Sequence, residues 1–145
     1  MATFNKVNDF VLNAVQTMNL STDQVTLALS NTAPGTETSD PSADSNGILA
    51  NVTEIAYTNL SSRNVTTTSS AQTAGTYKLV LTDITLTSSG GSTGPFQYVY
   101  IFDDTTTAPI DALIGFYDYG SALTLNDGDS LTVDFSAANG VLQIV

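Results

Sequence analysis

The chain has 145 residues, no histidine, no cysteine, and only three basic residues against fourteen acidic ones, which gives a formal net charge of −11. This composition excludes a Ser/His/Asp triad, a cysteine nucleophile and the usual His/Cys zinc site. It also argues against nucleic-acid binding, which needs clustered lysines and arginines. We therefore expect no catalytic, cofactor-binding or metal-binding residues, and a function that depends on the protein surface.

The length fits one domain over residues 1–145, large enough to form a core without disulfides or metals. Charged residues make up 12% of the chain, whereas globular domains have roughly 25%. Ser, Thr and Asn must therefore provide most of the polar surface. Apolar stretches are shorter than the ~20 residues needed to cross a bilayer, and the chain does not open on a secretory signal. We expect a protein that is made in a cytoplasm and does not enter a membrane.

The N-terminal segment, residues 1–20, shows apolar residues at steps of three and four. This spacing predicts one short amphipathic helix with Thr3 as a possible N-cap. The apolar stripe fits packing on the sheet of the same domain, and the alternative is an arm that docks on another subunit. Its apolar members are Phe4, Val7, Phe10, Val11, Ala14, Val15 and Met18.

The next segments predict one strand and one long connection. Residues 24–30 alternate with period two, which predicts a half-buried strand. Residues 31–47 lack an apolar pattern and are rich in Pro, Gly, Ser, Thr and acids, which predicts a long exposed loop. For residues 48–60 we favour a short helix or an irregular edge segment.

From Asn64 onward the pattern is strand and turn. Residues 64–69 suit a strand, and residues 71–75 suit a connection. The apolar alternation of residues 77–81 shifts by one position at residues 84–86. Because such a slip reverses the buried face, it predicts a β-bulge near Thr82 and Asp83.

The central part of the chain combines a turn with two apolar strands. Residues 88–94 read as a flexible turn, whereas residues 96–102 and 113–119 are apolar on both faces and predict central strands. Four aromatic residues alternate along the first of these strands, and the ordinary explanation is core packing on one face. They are Phe96, Tyr98, Tyr100 and Phe102.

The C-terminal pattern predicts a hairpin. Leu123 shares a face with Leu131 only if the loop has an odd length, which favours a type I turn at residues 126–128 with Gly128 in the left-handed conformation. Residues 141–145 then form the last strand. Together these elements predict a mainly β fold, an antiparallel β-sandwich or small jelly-roll-like barrel with a short N-terminal α-helix.

The acidic residues do not form a recognisable site. The segments Asp103–Asp104 and 127–129 lack the calcium-loop pattern, so we expect acids in exposed turns. Asp111 and Asp118 are seven positions apart, and this spacing gives no indication of a glycosidase carboxylate pair.

Several segments resemble a family of small virion proteins of tailed bacteriophages. The similarity runs over nearly the whole chain, and its most telling pieces are LALSNTAP, GPFQYVYIFDD, and LIGFYDYG followed by a hairpin containing Gly and Asp. Residues 57–64 depart from the glycine-rich segment expected there. The resemblance implies a structural role in the particle and brings no catalytic or cofactor residues.

These observations predict a non-enzymatic virion protein, most simply a capsid decoration (cement) protein on the outside of the shell. The alternative is a tail component, either a tube subunit or a fibre or tip adhesin that binds host glycan. Expected partners are the major capsid protein or other virion subunits and further copies of the chain, with a trimer favoured by three-fold positions. Contact should use uncharged loops, and the candidates are Thr32, Pro34, Thr36, Thr38, Ser42, Ile48, Ser89, Ser92 and Thr93.

Overall fold

A computed structural model describes residues 2–34 and 47–145. This described part of the chain is mainly β, with antiparallel sheets and one α-helix, as predicted, and the sheets pack in a sandwich-like arrangement. A short 3₁₀ helix, Leu49–Asn51, lies within the ambiguous segment 48–60, as expected. In chain order the other elements are β1 (Thr3–Lys6), α1 (Phe10–Gln16), β2 (Val25–Ser30), β3 (Asn64–Val65), β4 (Thr67–Thr73), β5 (Thr76–Leu81), β6 (Ile84–Thr87), β7 (Thr93–Thr107), β8 (Ile110–Leu125), β9 (Ser130–Val133) and β10 (Leu142–Ile144).

The strands form three sheets. The largest has the order β1-β8-β7-β2-β3, the second has the order β10-β5-β4, and β6 pairs with β9. The long strands β7 and β8 make up the centre of the five-stranded sheet, which confirms the two predicted central strands. Their register shifts between Phe96, which pairs with Leu123, and Tyr98, which pairs with Asp118. This irregularity bends the long hairpin.

Both faces of the five-stranded sheet are covered. On one face Leu27 and Leu29 join the main core, and on the other Ala28 lies in a second core with Tyr100 and Phe102. The 3₁₀ segment covers this second core with Leu49 and Val52. The strand predicted at residues 24–30 is confirmed as β2, but the prediction that it is half-buried is wrong, because every residue of β2 is buried.

The four alternating aromatics do not share a face. Phe96 lies in the main core, whereas Tyr98, Tyr100 and Phe102 lie in the second core. The register shift after Phe96 separates them, since it breaks the regular alternation of side chains along β7. The prediction of core packing is confirmed, and the prediction of one face is wrong.

The outer edge of β2 is closed by the segment that follows the 3₁₀ helix. Leu27 donates its N–H to the carbonyl oxygen of Arg63 (3.0 Å), and its own carbonyl accepts from the Arg63 guanidinium. Leu29 donates its N–H to the Tyr57 hydroxyl (2.9 Å), and its carbonyl accepts from the N–H of Ile55 (3.0 Å). The Arg63 guanidinium also lies 3.8 Å from the centre of the Tyr57 ring. Every backbone group on this stretch of the edge therefore has a partner.

The N-terminal prediction is only partly correct. The helix begins at Phe10 rather than near Thr3, and residues 3–6 form β1, which pairs antiparallel with β8. The apolar stripe is broken as well, because Val11 is 51% and Val15 83% exposed. A strand is favoured at the start because it satisfies the backbone edge of β8, which a helix would leave unpaired.

The predicted bulge near Thr82 and Asp83 is wrong. β5 ends at Leu81 in one sheet and β6 begins at Ile84 in another, so the shift of the apolar pattern marks a change of sheet. Asp83 holds this corner by accepting the N–H of Phe135 at 2.8 Å. The connection predicted at residues 71–75 is also too long, since β4 runs to Thr73 and only two residues form the turn.

The predicted C-terminal hairpin is wrong in its strand pairing and in its turn type, although the turn lies at the predicted residues. Gly128 has a φ of +87°, and the N–H of Asp129 bonds to the carbonyl of Asn126 at 2.9 Å. Gly128 is left-handed as predicted, but it is the third residue of a turn from Asn126 to Asp129, and a positive φ there makes the turn type II rather than type I. In addition, β9 pairs with β6, while the end of β8 stays with β7. The turn therefore carries the chain from one sheet to another. The predicted last strand is confirmed as β10.

A substitution at Gly115, which pairs with Lys6, tests whether β1 lies against β8. A Cβ atom at this residue would meet the Phe4 ring and lie 2.6 Å from the Asn5 carbonyl oxygen. We expect Gly115→Ala to lower the free energy of unfolding by about 1–3 kcal/mol, because overpacking forces β1 away from β8. Urea unfolding measures this loss.

A double-mutant cycle with Phe4→Ala provides the control. Removing the ring should relieve part of the Gly115→Ala loss, since the two residues are in contact. If Gly115→Ala leaves the free energy of unfolding unchanged, the pairing of β1 with β8 is contradicted.

Candidate partner-contact surface

The predicted contact residues divide into three groups. Thr36, Thr38 and Ser42 lie outside the described residues. Thr32 is exposed just beyond β2, where its N–H bonds to the Ser30 hydroxyl at 3.1 Å, and Pro34 is half-buried. Ile48, Ser89, Ser92 and Thr93 belong to the rest of the described chain.

Two of these four residues are exposed. Ser89 and Ser92 lie on the surface of the connection between β6 and β7. Thr93 is 2% exposed, and its hydroxyl lies 2.8 Å from that of the buried Ser88. The prediction of Thr93 as a contact residue is therefore wrong, because its side chain closes the base of the turn. Ile48 is half-buried and bridges Ala112 of β8.

The connection at residues 88–93 interlocks with the turn at residues 126–129, and we call these two segments the turn pair. The N–H of Gly128 donates to the Ser88 carbonyl at 2.8 Å, and the N–H of Ser88 donates to the Asp129 carbonyl at 3.0 Å. Asp127 accepts the N–H of Gly90 at 2.8 Å. The predicted turn is confirmed, but these bonds hold it in one conformation rather than leaving it flexible.

Asn59 fixes the turn pair from a third segment. Its carbonyl accepts the N–H of Ser89 at 2.8 Å, and its side-chain amide donates to the Ser92 carbonyl at 3.2 Å. A side chain on Gly91 would meet the Asn59 amide. Sequence reasoning did not single out Asn59, and its partners lie about thirty positions away, beyond the reach of any local pattern.

The described contact candidates do not form one patch. Thr32 and Pro34 follow Ser30, which pairs with Tyr98 in the first half of β7. The connection at residues 88–93 of the turn pair leads directly into the beginning of β7. Ile48 instead bridges Ala112, which pairs with Asp103 farther along β7. Five strand residues separate these two places, a distance of about 17 Å. The turn pair and residues 32–34 therefore lie toward one end of the sheet, and Ile48 toward the other.

Asp103 is buried rather than exposed, contrary to the sequence prediction, while Asp104 is exposed. One carboxylate oxygen, Oδ1, accepts the N–H groups of Thr105 (2.9 Å) and Thr106 (3.3 Å). The other, Oδ2, has no N–H or hydroxyl partner among the described residues, while the carboxyl group interacts with that of Asp23. Burial raises the pKa of Asp103 to about 6, and the nearby Asp23 carboxyl adds to this increase.

The other acids stay in turns and at strand positions. Asp127 and Asp129 are exposed, as expected. A bond from the Gln97 amide (2.9 Å) and one from the Gly120 N–H (2.7 Å) lower the pKa of Asp118. Asp111 and Asp118 lie seven residues apart on β8, about 23 Å along a strand. That separation is too large for a pair of glycosidase carboxylates.

The described residues contain no group of three or more acidic side chains placed to hold a metal ion. None of the described helical segments has the length and apolar character needed to cross a bilayer. Comparisons with known protein families, curated proteins and solved structures found no match for this chain.

The buried Asp103 predicts a pH dependence of stability. Because its pKa is higher in the folded chain than the usual 3.8, the stabilisation from this group is complete below about pH 4 and is lost as the pH rises through about 6. We expect the free energy of unfolding to fall over this range and Asp103→Asn to remove most of the decrease. Denaturant unfolding at a series of pH values measures it.

Asp104→Asn provides the matched control, since it removes a neighbouring exposed carboxylate and should leave the decrease in place. The outcome that contradicts the assignment is an equal flattening of the pH profile by both substitutions.

Proposed function

We propose that this chain is a non-enzymatic structural protein of a tailed-bacteriophage particle and that it binds the outer surface of the capsid as a decoration protein. The observation that carries the proposal is the turn pair, which presents the exposed Ser89 and Ser92 on a backbone held by bonds from Asn59 and Asp127. The resemblance of the chain to small virion proteins provides the biological context.

A rigid hydroxyl-bearing turn suits permanent attachment to a protein shell. Because the backbone is already fixed, binding loses little conformational entropy. Serine hydroxyls can satisfy backbone groups of a partner without removing water from ions, although each such bond contributes only about 0.5–1.5 kcal/mol. Many copies on one particle add these contributions, and they stabilise the shell because they bind only its assembled form.

The charge of the protein indicates the chemistry of the partner. A chain with a net charge of −11 is attracted to positive patches, is not repelled by neutral ones, and is repelled by acidic ones. The partner surface on the major capsid protein should therefore be uncharged where it meets Ser89 and Ser92, with basic residues around that contact. This arrangement would set the orientation of docking as well as its rate.

Particles that lack this protein provide the test. Purified protein is added to capsids of a phage from which its gene has been deleted, and bound protein is measured after sedimentation. We expect saturable binding to the shell and about a tenfold or greater loss of affinity for the double variant Ser89→Lys, Ser92→Lys, because two buried unpaired charges disfavour the contact. Gln16→Lys adds a charge on the exposed face of α1 and should bind like the wild type.

Electron cryomicroscopy of the complete virion locates the protein. Density on the capsid exterior supports decoration, whereas density confined to the tail would overturn the capsid assignment in favour of a tube subunit or a fibre or tip component. Full binding by the double lysine variant would show that the turn pair is not the contact.

A further inference from the structure

Strand β4 forms an open edge of its sheet. It is outermost in the order β10-β5-β4 and pairs only with β5. A two-residue turn with φ values of 50° at Ala74 and 87° at Gly75 joins the two strands. In such a hairpin the residues on either side of the turn, Thr73 and Thr76, form a hydrogen-bonded pair. Because this bonding alternates along an antiparallel strand, Ala71 also directs its N–H and C=O toward β5. Ser70 and Gln72 therefore direct theirs outward, and no described residue pairs with this outer side.

The outer side of β2 beyond its short pairing with β3 is protected, whereas the outer side of β4 is not. The edge of β2 is closed by Ile55, Tyr57 and Arg63, as described above. Proteins commonly block exposed edges by charge, proline or short length. β4 has seven residues and contains no charge and no proline. Its one irregularity lies between Thr67 and Ser69, which leaves residues 69–73 in regular pairing with β5.

The sheet that contains β4 is also free of acidic residues. None of the fourteen acids lies within residues 55–82 or 135–145, which include all three strands of the sheet. Lys78 at the centre of β5 is its only charged residue. Two copies that each carry a net charge of −11 repel one another over most of their surfaces. Two copies approach at this edge with less repulsion than at a surface that carries acidic side chains.

We propose that β4 pairs antiparallel with β4 of a second copy around a two-fold axis at Ala71. In this register Ser70 of one copy exchanges backbone hydrogen bonds with Gln72 of the other, and the two Ala71 residues face each other in a pair without hydrogen bonds. Three strand spacings separate the two Lys78 side chains by about 14 Å, beyond the Debye length of about 8 Å at physiological salt. Only neutral side chains from the two β4 strands meet at the seam.

The pairing concerns the free protein and does not depend on its role in a particle. The trimer expected from the sequence rests on shell symmetry alone, whereas an edge strand that pairs with its own copy gives two-fold symmetry. The resulting sheet would have six strands, in the order β10-β5-β4-β4-β5-β10, with the turn pair of each copy still available to a third partner.

Sedimentation equilibrium of the wild type and of Ala71→Glu tests the proposal. We expect a wild-type dimer and about a tenfold or greater increase in the dimer dissociation constant for the variant, because two carboxylates would face each other across the seam. The substitution should preserve the monomer, since Ala71 pairs with Lys78 in its own chain. Raising the salt concentration should restore part of the dimer by screening the repulsion.

Two control variants separate charge from size and position. Ala71→Gln has the size of the glutamate variant without its charge and should remain dimeric. Gln143→Glu places the same charge on the other side of Lys78, in β10, and should also remain dimeric. Thermal unfolding checks that each variant is folded.

A wild type that is monomeric up to about 100 µM, or one that forms a trimer, would overturn the proposal. Equal weakening by Ala71→Glu and Gln143→Glu would overturn it as well, because the contact would then not lie at the β4 edge.

Discussion

The structure depends on the hydrogen bonds that close the outer edge of β2. Leu27 and Leu29 are fully buried, so their outward backbone groups need partners within the protein. Ile55, Tyr57 and Arg63 provide these partners, and in doing so they fix the chain that leads from the 3₁₀ helix to β3. The same segment covers the second core with Leu49 and Val52. The same hydrogen bonds thus close the outer edge of β2 and hold in place the segment that covers the second core.

Tyr57 lies on this edge, where its hydroxyl has a raised pKa and makes two hydrogen bonds at once. Burial raises the pKa of its hydroxyl above the usual value, and the hydrogen bond to Glu54 adds to the increase. The hydroxyl donates to the Glu54 carboxylate at 2.6 Å while it accepts the N–H of Leu29. A neutral phenol is required for both bonds at once. The arrangement places Arg63, one of three basic residues in the chain, in a structural role.

The sequence predicts the strands better than their pairing. Period-two alternation identifies β2, and runs that are apolar on both faces identify the centres of β7 and β8, because side-chain direction is a local property. Alternation does not say which strand lies alongside, so the end of β8 and β9 read as a hairpin although β9 pairs with β6. The shift of the apolar alternation at residues 82–83 is ambiguous for the same reason. A β-bulge within one strand and a change from one sheet to another both move the apolar residues by one position. At the N-terminus, Phe4 and Val7 fit helical spacing, but the open edge of β8 favours a strand.

For the residues proposed as partner contacts, the sequence indicates exposure at some positions and fails at others. Ser89 and Ser92 are exposed, as their setting in a Ser- and Gly-rich turn indicates. Thr93 follows directly and has similar chemistry, yet it pairs with Ser88 inside the fold. Asp103 is buried for a related reason, because β7 continues past the apolar run to Thr107. Burial at such positions depends on what the rest of the chain places over them, which a local pattern does not record.

The placement of the three basic residues has a consequence for proteolysis. Trypsin cleaves after Lys and Arg, and the exposed turns at residues 88–92 and 126–129 contain neither. Lys6 lies in β1 opposite Gly115, Lys78 lies between Ala71 and Gln143, and the carbonyl of Arg63 accepts the Leu27 N–H. A protease needs an extended, unpaired segment. The peptide bond that follows each of these three residues therefore becomes accessible only when the backbone pairing around it opens. Tryptic cleavage of this chain therefore reports the opening of its sheets and leaves the surface turns intact.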